Sequence, residues 1–132
     1  GRLADTIGRR STSVISLVLT LVGGTVVYWS ESLPVLASAI AVGTFGTFAF
    51  VPSAATHRAE LFPTAFRTTA NAAGAYFGMV GSALGLLIGR FTIDAFGLSE
   101  TVTLLGLGIL GGIALTLTLP ETLGQELDSV GR

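Results

Sequence analysis

The sequence predicts an all-α membrane protein with four transmembrane helices, and three observations predict it. Charged residues make up only 11% of the chain, less than half the share of an ordinary soluble domain, about 25%. Half of the residues are hydrophobic and the mean hydropathy is +0.76. The apolar residues gather into four stretches, 11–30, 33–56, 70–90 and 101–119. Each is near the roughly 20 residues with which a helix crosses a bilayer core. Lipid offers no water to backbone N–H and C=O groups, so each stretch must satisfy them internally, as a helix.

The first span follows the basic decapeptide "GRLADTIGRR" (1–10) and ends at Tyr28 and Trp29, amphipathic rings suited to a membrane interface. The link "SESLP" leads into the second span. Residues 57–69 form a polar loop in which Pro63 disfavours helical geometry at Phe62, so the second helix stops near there and the third starts just after. The third span is followed by the outer link "RFTIDAFGLSE" (loop 91–100), the fourth by the tail 120–132. Asp94 falls in that link as a solvated residue. No Asp, Glu, Lys or Arg lies near the middle of any span.

The arginines set the expected orientation. Arg2, Arg9 and Arg10 precede the first span, Arg58 and Arg67 lie between the second and third, and Arg132 ends the tail; Arg90 alone falls on the other side. Excess Arg in short loops marks the cytoplasmic face, which puts both termini and the 57–69 loop inside. The expected setting is a cell membrane, plasma or inner, with the chain crossing it several times and membrane lipid as its surroundings.

Reactive chemistry is sparse. With no Cys there is no disulfide, thiolate nucleophile or Cys metal site. His57 stands alone beside Arg58 and reads as a solvated loop residue rather than a metal ligand. The carboxylates are confined to the loops, so no catalytic set, metal site or cofactor is expected and the enzyme class is excluded. A net charge of −1 gives no footing for a nucleic-acid partner. The chain opens on Gly1 and its only Met is Met79, so it reads as a piece of something longer; the opening lacks the pattern of a signal peptide.

Three segments carry a resemblance. Gly1, Asp5, Gly8, Arg9 and Arg10 stand in the order G-x-x-x-D-x-x-G-R-R, which resembles the cytoplasmic signature of the major facilitator superfamily of transporters. Thr6 replaces the usual basic residue after Asp5, which fits the degraded second copy of that signature. "ELFPTAFR" (60–67) resembles the E-x-x-P-x-x-x-R segment after the tenth helix of the sugar-porter branch and its metabolite-symporter relatives. "PETLGQELD" (120–128) resembles the tail after the twelfth. The resemblance implies that the four helices are the ninth to twelfth of a twelve-helix transporter and belong to its C-terminal six-helix bundle. It also implies a small-molecule substrate, alternating access, and eight N-terminal helices as partner.

Site expectations follow from the residues and the resemblance together. Glu60 at a helix C-terminus and Arg67 in a helix N-terminal turn each sit at the wrong end of a macrodipole, at about 0.3–1 kcal/mol per charge, and invite partners. The resemblance implies a cytoplasmic gate network of Asp5, Arg9, Arg10, Glu60, Arg67, Glu121 and Glu126, with Glu60 paired to Arg9 or Arg10 and Arg67 to Glu121 or Glu126. Solvated surface charges are the competing reading. Gly74, Gly78, Gly81, Gly85 and Gly89 recur every three or four residues, so they stack on one helix face and suit close or sliding helix contact, or ordinary packing within the bundle. Gly108 and Gly112 read as simple packing.

The substrate is less determined. Of the sugar branch's G-P-x-P-W run, only the first proline has a counterpart, Pro52; Ala54 and Ala55 take the other two places, and Gly78 replaces a polar Asn. The expected cargo shifts from a hexose towards a small organic acid, another metabolite or a hydrophobic drug. Candidate cavity residues are Thr44, Thr47 and Phe48 on the second span with Asn71 and Tyr76 on the third. Interhelical hydrogen bonding and core filling are their alternative roles. A proton-coupling carboxylate inside the membrane is absent from these spans. The alternative class is a free-standing four-helix membrane protein, such as a small oligomeric multidrug exporter or a non-transporting scaffold; the exporter design needs an intramembrane Glu in its first helix, and 11–30 has none.

Overall fold

The computed structural model describes residues 7–119. Four helices follow one another: α1 (Arg9–Trp29), α2 (Leu33–Leu61), α3 (Thr64–Phe96) and α4 (Leu98–Thr118). All four are long and apolar enough to cross a membrane. α1 packs on α2 and on α4, and α3 touches the same two helices more lightly. An even number of passes brings the start of α1, the end of α2, the start of α3 and the end of α4 to one end of the bundle, which also carries Arg9, Arg10, Arg58 and Arg67.

The connections are shorter than the sequence suggests. The expected 57–69 loop is almost entirely helical: α2 runs on to Leu61 and α3 starts at Thr64. Nothing in "ATHRAEL" breaks a helix, and the chain turns only where Pro63 forces Phe62 into extended geometry, φ −112° and ψ 138°. At the other end the expected loop 91–100 contracts to Gly97, whose φ of 88° is open to glycine at little cost. Asp94 therefore stands on α3, not in a loop. At about 1.5 Å per residue α2 and α3 are about 43 and 49 Å long, so both outrun a core of about 30 Å.

Burial is inverted relative to a soluble protein. Among the described residues the buried ones are small or polar, with Ala39 the buried hydrophobic residue beside Ser13, Ser16, Ser53, His57 and Thr101. Most of the leucines and phenylalanines are exposed. Hydroxyls along the spans mostly bond their own helix, as Thr56 does to the Pro52 carbonyl at 2.9 Å and Ser82 to that of Gly78 at 2.9 Å, so a Thr in lipid needs no distant partner.

Small residues bring α1 and α2 together. A Cβ built on Gly46 would lie 2.7 Å from the Ser16 carbonyl oxygen and from the Thr20 nitrogen, and one on Gly23 would run into the Gly43 backbone. The opposite ends of α1 and α4 are fastened separately: Trp29 Nε1 donates to Thr103 Oγ1 at 3.0 Å, and Ser99 donates to the Tyr28 carbonyl at 2.7 Å. The predicted glycine face of α3 behaves differently. Among the described residues a Cβ built on Gly78, Gly81 or Gly85 would meet nothing within 4 Å, while one on Gly74 would abut Arg58 and one on Gly89 Leu105. In this chain, Gly46→Leu is expected to lower stability by about 1–3 kcal/mol through overpacking, with Gly81→Leu within about 0.5 kcal/mol of the parent; unfolding by denaturing detergent, followed by circular dichroism, checks the contrast.

Candidate functional site

The arginine-bearing end holds the densest polar contacts. Gly8 precedes α1 with φ 101°, a left-handed conformation that suits glycine, and its carbonyl accepts from both the amide and the hydroxyl of Thr12, at 3.1 and 2.8 Å. That turn starts α1 at Arg9. Arg9 Nε donates to Glu60 Oε1 at 3.1 Å, with both side chains largely buried. Of the two arginines the sequence offers Glu60, the structure joins it to Arg9; Arg10 forms no ion pair among the described residues. The last turn of α2 places Glu60 at the end of its own helix, where the macrodipole disfavours an anion, and the guanidinium offsets that cost.

A second contact supports the first. Ser53 donates to the Arg9 carbonyl at 3.2 Å and lies 2.9 Å from Ser13 Oγ. Since the Ser53 proton goes to the carbonyl, Ser13 is the donor between the two hydroxyls, and both buried groups are satisfied. Ser53, His57 and Glu60 are spaced four and three apart, so they share the face of α2 that meets α1. His57 is 3% exposed. The expectation of a solvated loop histidine fails because α2 continues through this segment and turns the imidazole inwards.

Arg58 points to α3. Its Nε donates to Asn71 Oδ1 at 3.4 Å, and a Cβ on Gly74 would lie 3.1 Å from the guanidinium carbon. Gly74 therefore makes room for the Arg58 side chain reaching across from α2. Arg67, one turn before Asn71 on the same face, buries its Nε without a hydrogen-bond partner among the described residues. Its expected partners Glu121 and Glu126 lie outside the described residues, as does Asp5.

The five cavity candidates do not converge. Thr44 and Thr47 line a groove of about 230 Å³ between α1 and α2, together with Thr20 and Tyr28. Thr47 also donates to the Gly43 carbonyl at 3.0 Å and approaches Thr20 Oγ1 at 3.4 Å. Phe48 is 74% exposed, Tyr76 is 64% exposed with its ring edge-on to Phe77, and Asn71 is engaged by Arg58. Among the described residues no group of His, Cys, Asp and Glu is placed to hold a metal ion.

The sequence reading missed the α1–α2 seam. Ser13, Ser16, Thr20 and Gly23 recur at three, four and three residues, and Ala39, Gly43 and Gly46 at four and three. This is the small-residue periodicity of close membrane packing, overlooked because only α3 carries it as uninterrupted glycine.

The order of these parts, a glycine turn with paired arginines before one span and an acid, a proline and an arginine between two others, is matched by a known family. The profile of the Major Facilitator Superfamily covers residues 1–130. The chain belongs to the Major Facilitator Superfamily. Two putative inorganic phosphate transporters of Schizosaccharomyces pombe are each 34% identical to it over 85 residues, 63% of this chain and 15% of theirs. A probable inorganic phosphate transporter of Arabidopsis thaliana is 34% identical over 90 residues, 66% of this chain and 17% of its own. The chain thus spans under a fifth of the length of these relatives. No solved structure matches it. It is an all-α, multi-pass membrane chain of a transporter family.

The ion pair is expected to be stabilising beyond a surface contact. Glu60→Gln should cost about 1 kcal/mol by stranding part of the Arg9 guanidinium, and Ser13→Ala should cost about as much, both read as a lower midpoint of detergent unfolding.

Proposed function

We propose that these helices are the last four of a twelve-helix secondary transporter, that they move a small solute by alternating access, and that the Arg9–Glu60 pair belongs to its cytoplasmic gate. The pair carries the reading. It ties the first residue of α1 to the last turn of α2 at the end where the arginines concentrate, and excess arginine marks the cytoplasmic face. A charge pair there adds a breakable contact between two helices at one mouth of the pathway. The open glycine face of α3 at Gly78, Gly81 and Gly85 supports the same reading, since it is a smooth surface on which further helices of the transporter pack. Arg67, Asp5, Glu121 and Glu126 complete the proposed network.

The proposed cargo is a small anion, with inorganic phosphate first and an organic acid second. The names of the similar proteins favour phosphate, and the alanines at 54 and 55 leave no aromatic platform for a sugar. Thr44 and Thr47 are the cavity candidates that stay together.

Reconstituted full-length protein is expected to take up radiolabelled phosphate, with excess unlabelled phosphate competing and glucose not. Uptake of an aromatic or aliphatic acid in its place would move the cargo to the second class, and no uptake of either would end the reading. Separately, Glu60→Gln in that protein should make cysteines in the inner cavity more reactive to a membrane-impermeant maleimide and those in the outer cavity less so. Unchanged labelling would remove Arg9–Glu60 from the gate.

A further inference from the structure

Arg10 has a different environment from its neighbour. Successive residues of an α-helix are about 100° apart around the axis, so with Arg9 committed to Glu60 on α2, Arg10 turns towards α4. There Arg10, Ser11, Val14 and Ile15 of α1 and Leu117 of α4 line a cleft of about 310 Å³. Among the described residues no carboxylate borders it and no ion pair neutralises Arg10. The cleft is amphiphilic from top to bottom. A guanidinium and a hydroxyl stand at its mouth, at the first turn of a spanning helix, and below them branched side chains lead into the span, with Ile15 and Leu117 about half exposed.

We propose that this cleft binds one anionic phospholipid, its phosphodiester held by Arg10 and Ser11 and the start of an acyl chain laid over Val14, Ile15 and Leu117. Charge complementarity selects the occupant. A free anion would leave the apolar floor uncovered, and a neutral or zwitterionic lipid would bring no net charge to an arginine that has no ion pair among the described residues. Basic pockets between spanning helices take anionic headgroups for this reason. The site depends on this end lying at the membrane surface and not on what the protein transports. It also gives the doubled arginine of the signature two tasks, Arg9 to join helices and Arg10 to hold lipid.

The test is native mass spectrometry of the full-length protein with phosphatidylglycerol and phosphatidylcholine of identical acyl chains. The parent is expected to retain one phosphatidylglycerol roughly fivefold more strongly, the effect of one basic residue near an anionic headgroup. Arg10→Gln should abolish the preference, Arg10→Lys should keep most of it, and Val14→Trp should weaken retention of both lipids by filling the cleft. Equal retention by the parent, or a preference that survives Arg10→Gln, overturns the proposal. So does complete displacement of phosphatidylglycerol by millimolar inorganic phosphate, which would mark a plain anion site. A variant ending at Leu119 that gains a preference the parent lacks would show that residues 120–132 fill the cleft instead, and would equally overturn it. Phosphate uptake measured on the same preparations separates this result from the transport reading, because lipid retention without uptake sinks only the latter.

Discussion

The close approach of α1 and α2 is the contact on which the rest of the chain depends. Lipid tails are as apolar as leucine, so hydrophobicity gives two spanning helices no reason to prefer each other over lipid, and association rests on packing and hydrogen bonds. Gly23, Gly43 and Gly46 let the backbones meet where a single Cβ would intrude. That proximity brings Ser13 within reach of Ser53 and Arg9 within reach of Glu60. It also shapes the groove that Thr44 and Thr47 line.

The inverted burial follows from the same physics. In water the large apolar side chains would be the core; here small and polar residues are inside, because they permit contact and need partners. His57 illustrates the consequence. A histidine read as a loop residue becomes one of the most buried groups in the chain once α2 continues to Leu61. α3 has no buried residue, and a Cβ on its glycines at 78, 81 or 85 would meet nothing within 4 Å among the described residues.

The arginine-bearing end assigns separate environments to residues that composition treats alike. Arg9 is paired with an acid, Arg58 lies in the notch left by Gly74 against Asn71, Arg67 buries its Nε at the start of α3, and Arg10 borders the α1–α4 cleft. Their common feature is position at one membrane face. Their differences come from helical phase, which separates neighbours in sequence by about 100°.

The sequence by itself determined the number of spans, their helical nature and the end at which the arginines gather, because lipid leaves the backbone one local way to satisfy its hydrogen bonds and that requirement is written in hydropathy. It also named Glu60 and its two possible partners, since a charge at the wrong helix end is visible from spacing alone. Only the tertiary structure decided which arginine Glu60 takes, that the 57–69 and 91–100 segments are mostly helix, that Asn71 meets Arg58, and that α1 and α2 share a tight seam. Those outcomes depend on how two helices are rotated against each other, and a one-dimensional pattern fixes the faces of a helix without fixing which neighbour each face meets.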